Sequence, residues 1–367
     1  MQRRITVAYL VRPAEGGIKS HLLTLLAGLD KKQFLPVVIC PTDSPLFSEV
    51  EKAGYKAIPI NLAGDLSPAK DLNSVLALRH ILRQLRPSVL HIHSAKAGLI
   101  GRLAVIGLPK PPKVIVTMHS FVFDERVNPR KRRLIAAAER FLSKYTARII
   151  AVSDALKNEL VEEMGISPDK VKVIKNGIVF RDVSKPPRCN NFVVGTVCRL
   201  APQKGVDDFI RAAMLVSNRY PSTQFPIVGD GPLRETLERD VSTLGLVENV
   251  KFLGFQQDAL SIMATFDVFA LASTSEAFGM TLTEAMSIGI PVVAGRAGGI
   301  PEIIDGTTTG LLANRGDPID LAGKICELLE NRERAQEIGE AGKKFVRSQF
   351  GSDRMIDETQ KLYLRVR

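Results

Sequence analysis

Two glutamates, Glu276 and Glu284, bracket the tetrapeptide Phe278-Gly279-Met280-Thr281 within the stretch from Ala270 to Leu312. An apolar run, Val268–Ala272, meets a polar loop there, and the tetrapeptide then opens a helix. A helix start offers free N–H groups and roughly half an elementary positive charge, so it attracts phosphate. A carboxylate one turn inside can accept hydrogen bonds from a sugar diol. Together these residues read as a site for a nucleotide diphosphate attached to a sugar.

A second strand-end loop carries the cations such a ligand needs. Cys198-Arg199-Leu200-Ala201-Pro202-Gln203-Lys204-Gly205 follows a strand pattern and precedes a helix. Arg199 and Lys204 leave the same strand and can converge on one anion, each contact contributing roughly 1.5–3 kcal/mol. Alone they read slightly better as two solvated basic residues; with Glu276 and Glu284 in the same half, anion binding is the better reading. Ile227-Val228-Gly229-Asp230-Gly231-Pro232 is a further glycine loop. Gly229 there serves either the close approach of a ligand or a tight turn. Ala14-Glu15-Gly16-Gly17 follows the first strand and matches neither G-x-G-x-x-G nor a G-K-[ST] phosphate loop, which argues against NAD and NTPase chemistry. Its amides can still be offered to a phosphate. His119 closes Thr117-Met118-His119 at another strand end, where it can hydrogen-bond a sugar hydroxyl or a neighbouring carbonyl. His91-Ile92-His93 resembles a metal pair, but no third or fourth ligand is evident and no D-x-D triplet occurs, so no metal is expected.

Charge is unevenly spread. Residues 1–185 carry 30 Lys and Arg against 16 Asp and Glu; the remainder carries 20 against 23. The basic first half calls for an anionic partner: nucleic acid, lipid headgroups or a phosphorylated substrate. Arg126–Arg148 concentrates it, with Arg130, Lys131, Arg132 and Arg133 ahead of Leu134, Ile135, Ala137, Ala138, Phe141, Leu142 and Tyr145 at helical spacing. Two readings stand. Either the apolar face lies on a sheet, or Arg130, Lys131, Arg132 and Arg133 face an anionic membrane. The chain has no Trp and no recognised nucleic-acid motif, which argues against nucleic acid as the partner. The four cysteines are scattered with no C-x-x-C pair, suggesting reduced thiols in the cytoplasm. The N-terminal run Ile5–Val11 is too short for a signal peptide or span and reads as a strand.

The elements that must position these groups alternate. Strand patterns occur at Ile5–Val11, Pro36–Cys40, Lys56–Ile60, Val89–His93, Lys113–Thr117, Arg148–Val152 and Val171–Ile174, with helical patterns such as Asp71–Leu85 and Arg130–Tyr145 between them. After Asn176-Gly177 and the linker-like Ser184-Lys185-Pro186-Pro187 the alternation restarts through Phe192–Val197, Thr223–Val228, Val250–Leu253, Val268–Ala272 and Pro291–Ala294. At 367 residues two doubly wound α/β domains facing across a cleft are expected, covering 1–180 and 181–352. Pro226 predicts an irregularity in its strand.

With Arg199, Lys204, Glu276 and Glu284 in place, the chain resembles the retaining glycosyltransferases of family 4, along essentially its whole length. The resemblance implies the GT-B fold, with a last helix near 353–367 crossing back to the first domain. It implies that Arg199 and Lys204 bind the donor diphosphate, Glu284 the ribose, and that Glu276 lies by the donor sugar. Backbone groups of Phe278, Gly279, Met280 and Thr281 cradle sugar and phosphate, His119 touches the sugar, and Gly16-Gly17 matches the N-terminal glycine loop. His93-Ser94-Ala95-Lys96-Ala97-Gly98 looks like bacterial surface-polysaccharide members. Cys198 and Pro226 depart from the usual pattern without removing a functional group. The expected activity is metal-free, retaining transfer from a nucleotide diphosphate sugar, a uridine diphosphate sugar by resemblance, to a saccharide or polyprenyl-linked acceptor. No cofactor is called for, and the enzyme is expected in the cytoplasm or on the inner membrane face. A sugar-nucleotide epimerase or a phosphorylase on the same scaffold is the nearest rival. A basic nucleic-acid-binding protein is the rival from another class.

Overall fold

The computed structural model describes residues 4–13, 16–62, 67–123, 128–184 and 191–367. They fall into two compact units, one spanning Met1–Gly177 with Ser352–Arg367 and the other Ile178–Gly351. The linker stretch from Lys185, together with Cys189, Arg126, Ala14 and Glu15, lies outside the described residues.

The first unit holds seven parallel strands: β1 (Ile5–Val11), β2 (Phe34–Cys40), β3 (Lys56–Pro59), β4 (Val89–His93), β5 (Lys113–Met118), β6 (Arg148–Ala151) and β7 (Val171–Val173), in the order β3-β2-β1-β4-β5-β6-β7. Tyr9, Leu10, Val38, Ile39, Leu90 and Ile92 have no exposed surface, so adjacent residues of one strand are buried on opposite faces. That is the mark of a sheet covered by helices on both sides. Chain order reverses between β1 and β4, where ligands of open α/β sheets collect. Val11 pairs with His93, and His93 with Thr117, which brings the ends of β1, β4 and β5 level. The last helix, Ser352–Val366, belongs to this unit. Met355, Ile356, Leu362 and Tyr363 join the core under β1 and the helix Gly17–Gly28. A Cβ on Gly28 would meet Ile356 Cδ1 at 2.3 Å, so a larger residue there would have to displace the Ile356 side chain between the two helices.

The second unit repeats the plan with β8 (Val194–Val197), β9 (Phe225–Val228), β10 (Val250–Gly254), β11 (Val268–Leu271), β12 (Val292–Gly295) and β13 (Leu311–Ala313), ordered β10-β9-β8-β11-β12-β13. Its reversal lies between β8 and β11. Pro226 sits in β9 between an isolated bridge, Val193 to Gln224, and the resumed ladder at Thr196 to Ile227; the missing N–H accounts for the gap. Each unit is the doubly wound α/β fold expected. Among the described residues no helix is long and apolar enough to cross a membrane.

The basic helix, Pro129–Ser143, corrects an expectation. Leu134 is 71% exposed, Phe141 51% and Tyr145 38%, so these side chains do not lie on the sheet. The inward face instead carries a buried clasp: Arg102, with no exposed surface, donates two 2.8 Å hydrogen bonds to the Glu139 carboxylate. Breaking a pair of this kind costs roughly 3–5 kcal/mol, which holds Glu139 inward. Arg132 corrects a second expectation. It is bound to Glu163 at 3.1 Å and stacked 4.9 Å from the Phe123 ring, so it does not join Arg130, Lys131 and Arg133 on the outward side.

Candidate functional site

In the second unit the two motif loops follow β8 and β11, the strands that flank the reversal. They are clasped by backbone: Thr274 and Ser275 donate to the Gln203 carbonyl at 3.0 and 3.3 Å. Gly205, at φ +59°, begins the helix Val206–Arg219, and a Cβ there would stand 2.2 Å from the Ala272 carbonyl oxygen. No other residue permits this approach, and it carries Lys204 to Glu276. The Lys204 ammonium donates to Glu276 Oε2, and Ser273 Oγ–H reaches the same oxygen at 3.4 Å. Burial opposes the lysine charge, but the Glu276 charge and hydrogen bond outweigh it and raise the lysine pKa. The two groups singled out for separate roles are thus paired with each other. Arg199 is exposed and has no ion-pair partner among the described residues.

The helix Met280–Ser287 starts from Gly279 at φ +102°, with no side chain capping it. The helices Gly17–Gly28 and Val206–Arg219 also start from positive-φ glycines, Gly16 and Gly205, without side-chain caps. Ser44, Asn128, Ser153, Asp317 and Asn331 cap five other helices with their side chains, whereas Pro68–Leu85, Ala95–Val105, Arg234–Thr243 and Ala259–Met263 also start without such a cap but not from a glycine. An uncapped start leaves amides for an outside acceptor. Phe278 is buried against Phe350, ring centres 5.4 Å apart, which anchors the turn, while Met280 and Thr281 are half-buried. One turn in, Glu284 is half-buried, and burial alone raises its carboxyl to about 7. No cation accompanies it among the described residues, as suits a carboxylate waiting for hydroxyl donors.

Gly229 has a plainer explanation. Its φ is +126°, and a Cβ would sit 1.9 Å from the Cys198 carbonyl oxygen. Glycine is required by the chain's own backbone, whatever else binds there. Cys198 is buried, and burial raises its thiol to about 11, so it is no nucleophile near neutral pH.

In the first unit the structure gathers four of the chain's five histidines. His21 lies in the helix after β1, His91 and His93 end β4, and His119 follows β5. This corrects the expectation that the His91-Ile92-His93 pair lacks companions: ring nitrogens of His21, His93 and His119 lie within 4.8 Å of one another. The His93 Nδ1 to His119 Nε2 distance is 2.9 Å. Two ligands of a tetrahedral zinc ion stay roughly 3.3 Å apart, so that contact is a hydrogen bond. His91 binds the Tyr363 hydroxyl with Nδ1 and the Thr117 hydroxyl with Nε2, both at 2.6 Å, and Tyr363 meets Tyr9 at 3.1 Å. Burial lowers His91 to about 3 and, against the opposing effect of a bond to Asn176, His21 to about 4. Burial and neighbouring imidazoles hold His93 and His119 well below the usual histidine value. All four are neutral at pH 7. Sequence reasoning singled out only His119 here; His21 gave no local signal, and His93 read as half of a metal pair.

Similarity to known proteins gives the family of both units. The Glycosyltransferase Family 4 model matches residues 15–180, and the model for Glycosyl transferases group 1 matches residues 182–345. Over 330 residues, 86% of this chain and 85% of the relative, it is 28% identical to an Escherichia coli UDP-Gal:alpha-D-GlcNAc-diphosphoundecaprenol alpha-1,3-galactosyltransferase. The capsular polysaccharide biosynthesis glycosyltransferase CapM of Staphylococcus aureus is 24% identical over 348 residues, 91% of this chain and 90% of its own. Anabaena HepE, solved with UDP and glucose, superposes with a TM-score of 0.85 at 23% identity, covering 98% of this chain and 99% of that one.

Proposed function

Because the chain belongs to the family 4, group 1 glycosyltransferases, we propose that it moves a sugar from a uridine diphosphate sugar to a saccharide or polyprenyl-linked acceptor in surface-polysaccharide synthesis, with retention at the anomeric carbon. The observation that carries the donor assignment is the uncapped helix start at Gly279, with Lys204, Arg199 and Glu284 around the same strand ends. The Escherichia coli relative's substrate and the UDP held by HepE support uridine.

In this reading the second unit binds the nucleotide. The amides of Phe278, Gly279, Met280 and Thr281 and the two cations hold the diphosphate, and Glu284 accepts from the ribose hydroxyls. Lys204 turns part of its charge from Glu276 to the phosphate as the donor enters, which leaves Glu276 able to accept from the sugar. The bond from the anomeric carbon to the diphosphate oxygen breaks while the acceptor oxygen bonds on the same face. The acceptor proton passes to the departing phosphate. Arg199, Lys204 and the helix start stabilise that growing charge, supplying what a divalent ion would otherwise supply, so the reaction proceeds without metal or other cofactor.

The first unit contributes neutral hydrogen-bonding groups, with Gly16 and Gly17 offering amides at the start of their helix. Among the described residues, buried His93 Nε2 has no hydrogen-bond partner. If His119 donated to His93, the only hydrogen on His93 would sit on that orphaned atom. Orphaned buried N–H groups are rarer than under-satisfied acceptors, so His93 Nδ1–H donates and His119 keeps its own hydrogen on Nδ1. His119 then offers a donor to a sugar oxygen. Proton NMR of the product anomer tests retention; an inverted product refutes the mechanism. A sugar nucleotide consumed with no acceptor present would favour an epimerase instead.

A further inference from the structure

We propose that Glu159 is a positioning residue: its buried carboxylate fixes the chain just beyond His119 and, through it, where that imidazole points. This role rests on His119 serving the transfer as proposed, and extends it to a group 40 residues further along that touches no ligand.

His119 stands just past the end of β5 at Met118. From there the chain leaves the sheet, and among the described residues no backbone group of 120–123 bonds to another backbone group. A distant side chain holds the segment instead. The Val122 amide donates to Glu159 Oε2 at 3.1 Å, and the Phe123 amide donates to Glu159 Oε1 at 2.9 Å. Two consecutive amides on the two oxygens of one planar group leave the segment little freedom to turn. Glu159 is 5% exposed and has no ion-pair partner among the described residues. A buried carboxylate without a cation is costly, and turns are ordinarily held by a nearby Ser, Thr, Asn or Asp. The return on that cost is grip, because hydrogen bonds to a charged acceptor are roughly twice as strong as neutral ones.

The element that carries Glu159 is irregular at this point. The helix Asp154–Asn158 widens into a π-helical turn, Glu159–Glu163, a rare shape that frequently marks functional sites. Both ends of the turn serve the same segment. Glu159 takes its amides, while Glu163 binds Arg132 at 3.1 Å, and the Arg132 guanidinium lies 4.9 Å from the Phe123 ring centre. Phe123 is buried beneath it. His119 is therefore held from two directions. His93 meets its ring at Nε2, 2.9 Å away, and the Glu159 carboxylate anchors the chain three residues past it. The ring bond decides which nitrogen is occupied; the anchor decides where the other nitrogen is carried. Displacements of about 1 Å in a group that orients a substrate are enough to slow a reaction.

Glu159→Gln in the full chain tests this. The side-chain amide puts an NH2 opposite one backbone N–H, so one of the two bonds is lost while size and shape stay. With 15N-labelled histidine, the His119 ring resonances shift in this variant and those of exposed His80 do not. Turnover with a uridine diphosphate sugar falls about fivefold, a loss bounded by the roughly tenfold expected for His119→Ala. Calorimetric affinity for UDP, which lacks the sugar, stays within about twofold. In the His119→Ala background the same change costs less than about 1.5-fold, because the group it positions is gone. Glu159→Asp keeps the charge but draws it back by one methylene; it gives the same pattern and supplies the readings should the Gln form fail to fold. Unmoved His119 resonances in a folded variant overturn the proposal. So does an equal loss of turnover with and without His119, which would leave Glu159 a stabilising group alone. If the resonances move while His119→Ala keeps parental turnover, Glu159 still positions the ring, and the sugar contact assigned to His119 is what fails.

Discussion

The two units share a fold and bury polar groups at the same topological position, yet they do so in opposite ways. At the reversal of the first sheet the chain packs neutral imidazoles and phenols whose charged forms burial suppresses. At the reversal of the second it keeps charge: Lys204 raised and paired with Glu276, Arg199 open, Glu284 alone. A doubly wound sheet therefore does not dictate the electrostatics of its ligand site; the loop residues do. Under the proposed function the contrast divides the labour. The charged unit suits a pyrophosphate whose negative charge grows in the transition state, and the neutral unit suits the uncharged sugar and its hydroxyls.

The sharpest way to break this contrast is Lys204→Ala. It should cut turnover at least ~100-fold, from loss of about 3 kcal/mol of transition-state stabilisation; parental rates in a steady-state assay would remove the lysine from phosphate chemistry. Next comes Glu284→Gln. Donor affinity by calorimetry should fall at least about tenfold, for loss of charge-assisted hydrogen bonds, while the thermal midpoint rises because a buried charge is gone. A weaker fold with unchanged donor affinity would return Glu284 to a structural role.

Acid separates the units by sign. His21 and His91 are lowered from 6.5 to about 4 and about 3, so between those values the unfolded chain binds more protons. The first unit's stability is full above pH 6.5 and is lost as pH falls toward 4. Glu284 is raised from 4.5 to about 7, so its contribution is full below 4.5 and lost as pH rises through 7. Hydrogen exchange of the full chain at pH 7 and 5 should show protection falling around His91 and His93 but not around Glu284. Equal loss in both regions would erase the distinction. Donor affinity should weaken about tenfold from pH 8 to 6 as Glu284 takes up its proton. The smallest effect is expected at His119→Ala, about tenfold in turnover for one neutral hydrogen bond and its positioning, with the fold intact; near-parental activity would confine the histidine to the buried network.

Much of the fold was legible because buried parallel strands read as apolar runs: Ile5–Val11 and Val89–His93 match the observed β1 and β4 residue for residue. The three-residue β13 carried too little pattern to be singled out. The second unit's candidate groups could be picked out because they lie in two loops, each with its own strand and helix signals. The first unit's cluster was not. His21, His93 and His119 meet only because β1, β4 and β5 are neighbours, and strand order is not written in local periodicity. The rotation of the helix Pro129–Ser143 was hidden for a similar reason. Arg102 and Glu139 lie 37 residues apart, so their pairing leaves no trace in the local apolar pattern. The pairing of Lys204 with Glu276, 72 residues apart, depends on the glycine at 205 and its approach to Ala272.

Isothermal titration of UDP, and of uridine, guanosine and adenosine diphosphate sugars, into the folded full chain and its Lys204→Ala form tests the charged cradle most directly. Saturable 1:1 uptake of a nucleotide diphosphate sugar by the parent, weakened by the lysine change, is the predicted result. No heat of binding from any of these ligands, in protein that melts cooperatively, would contradict it.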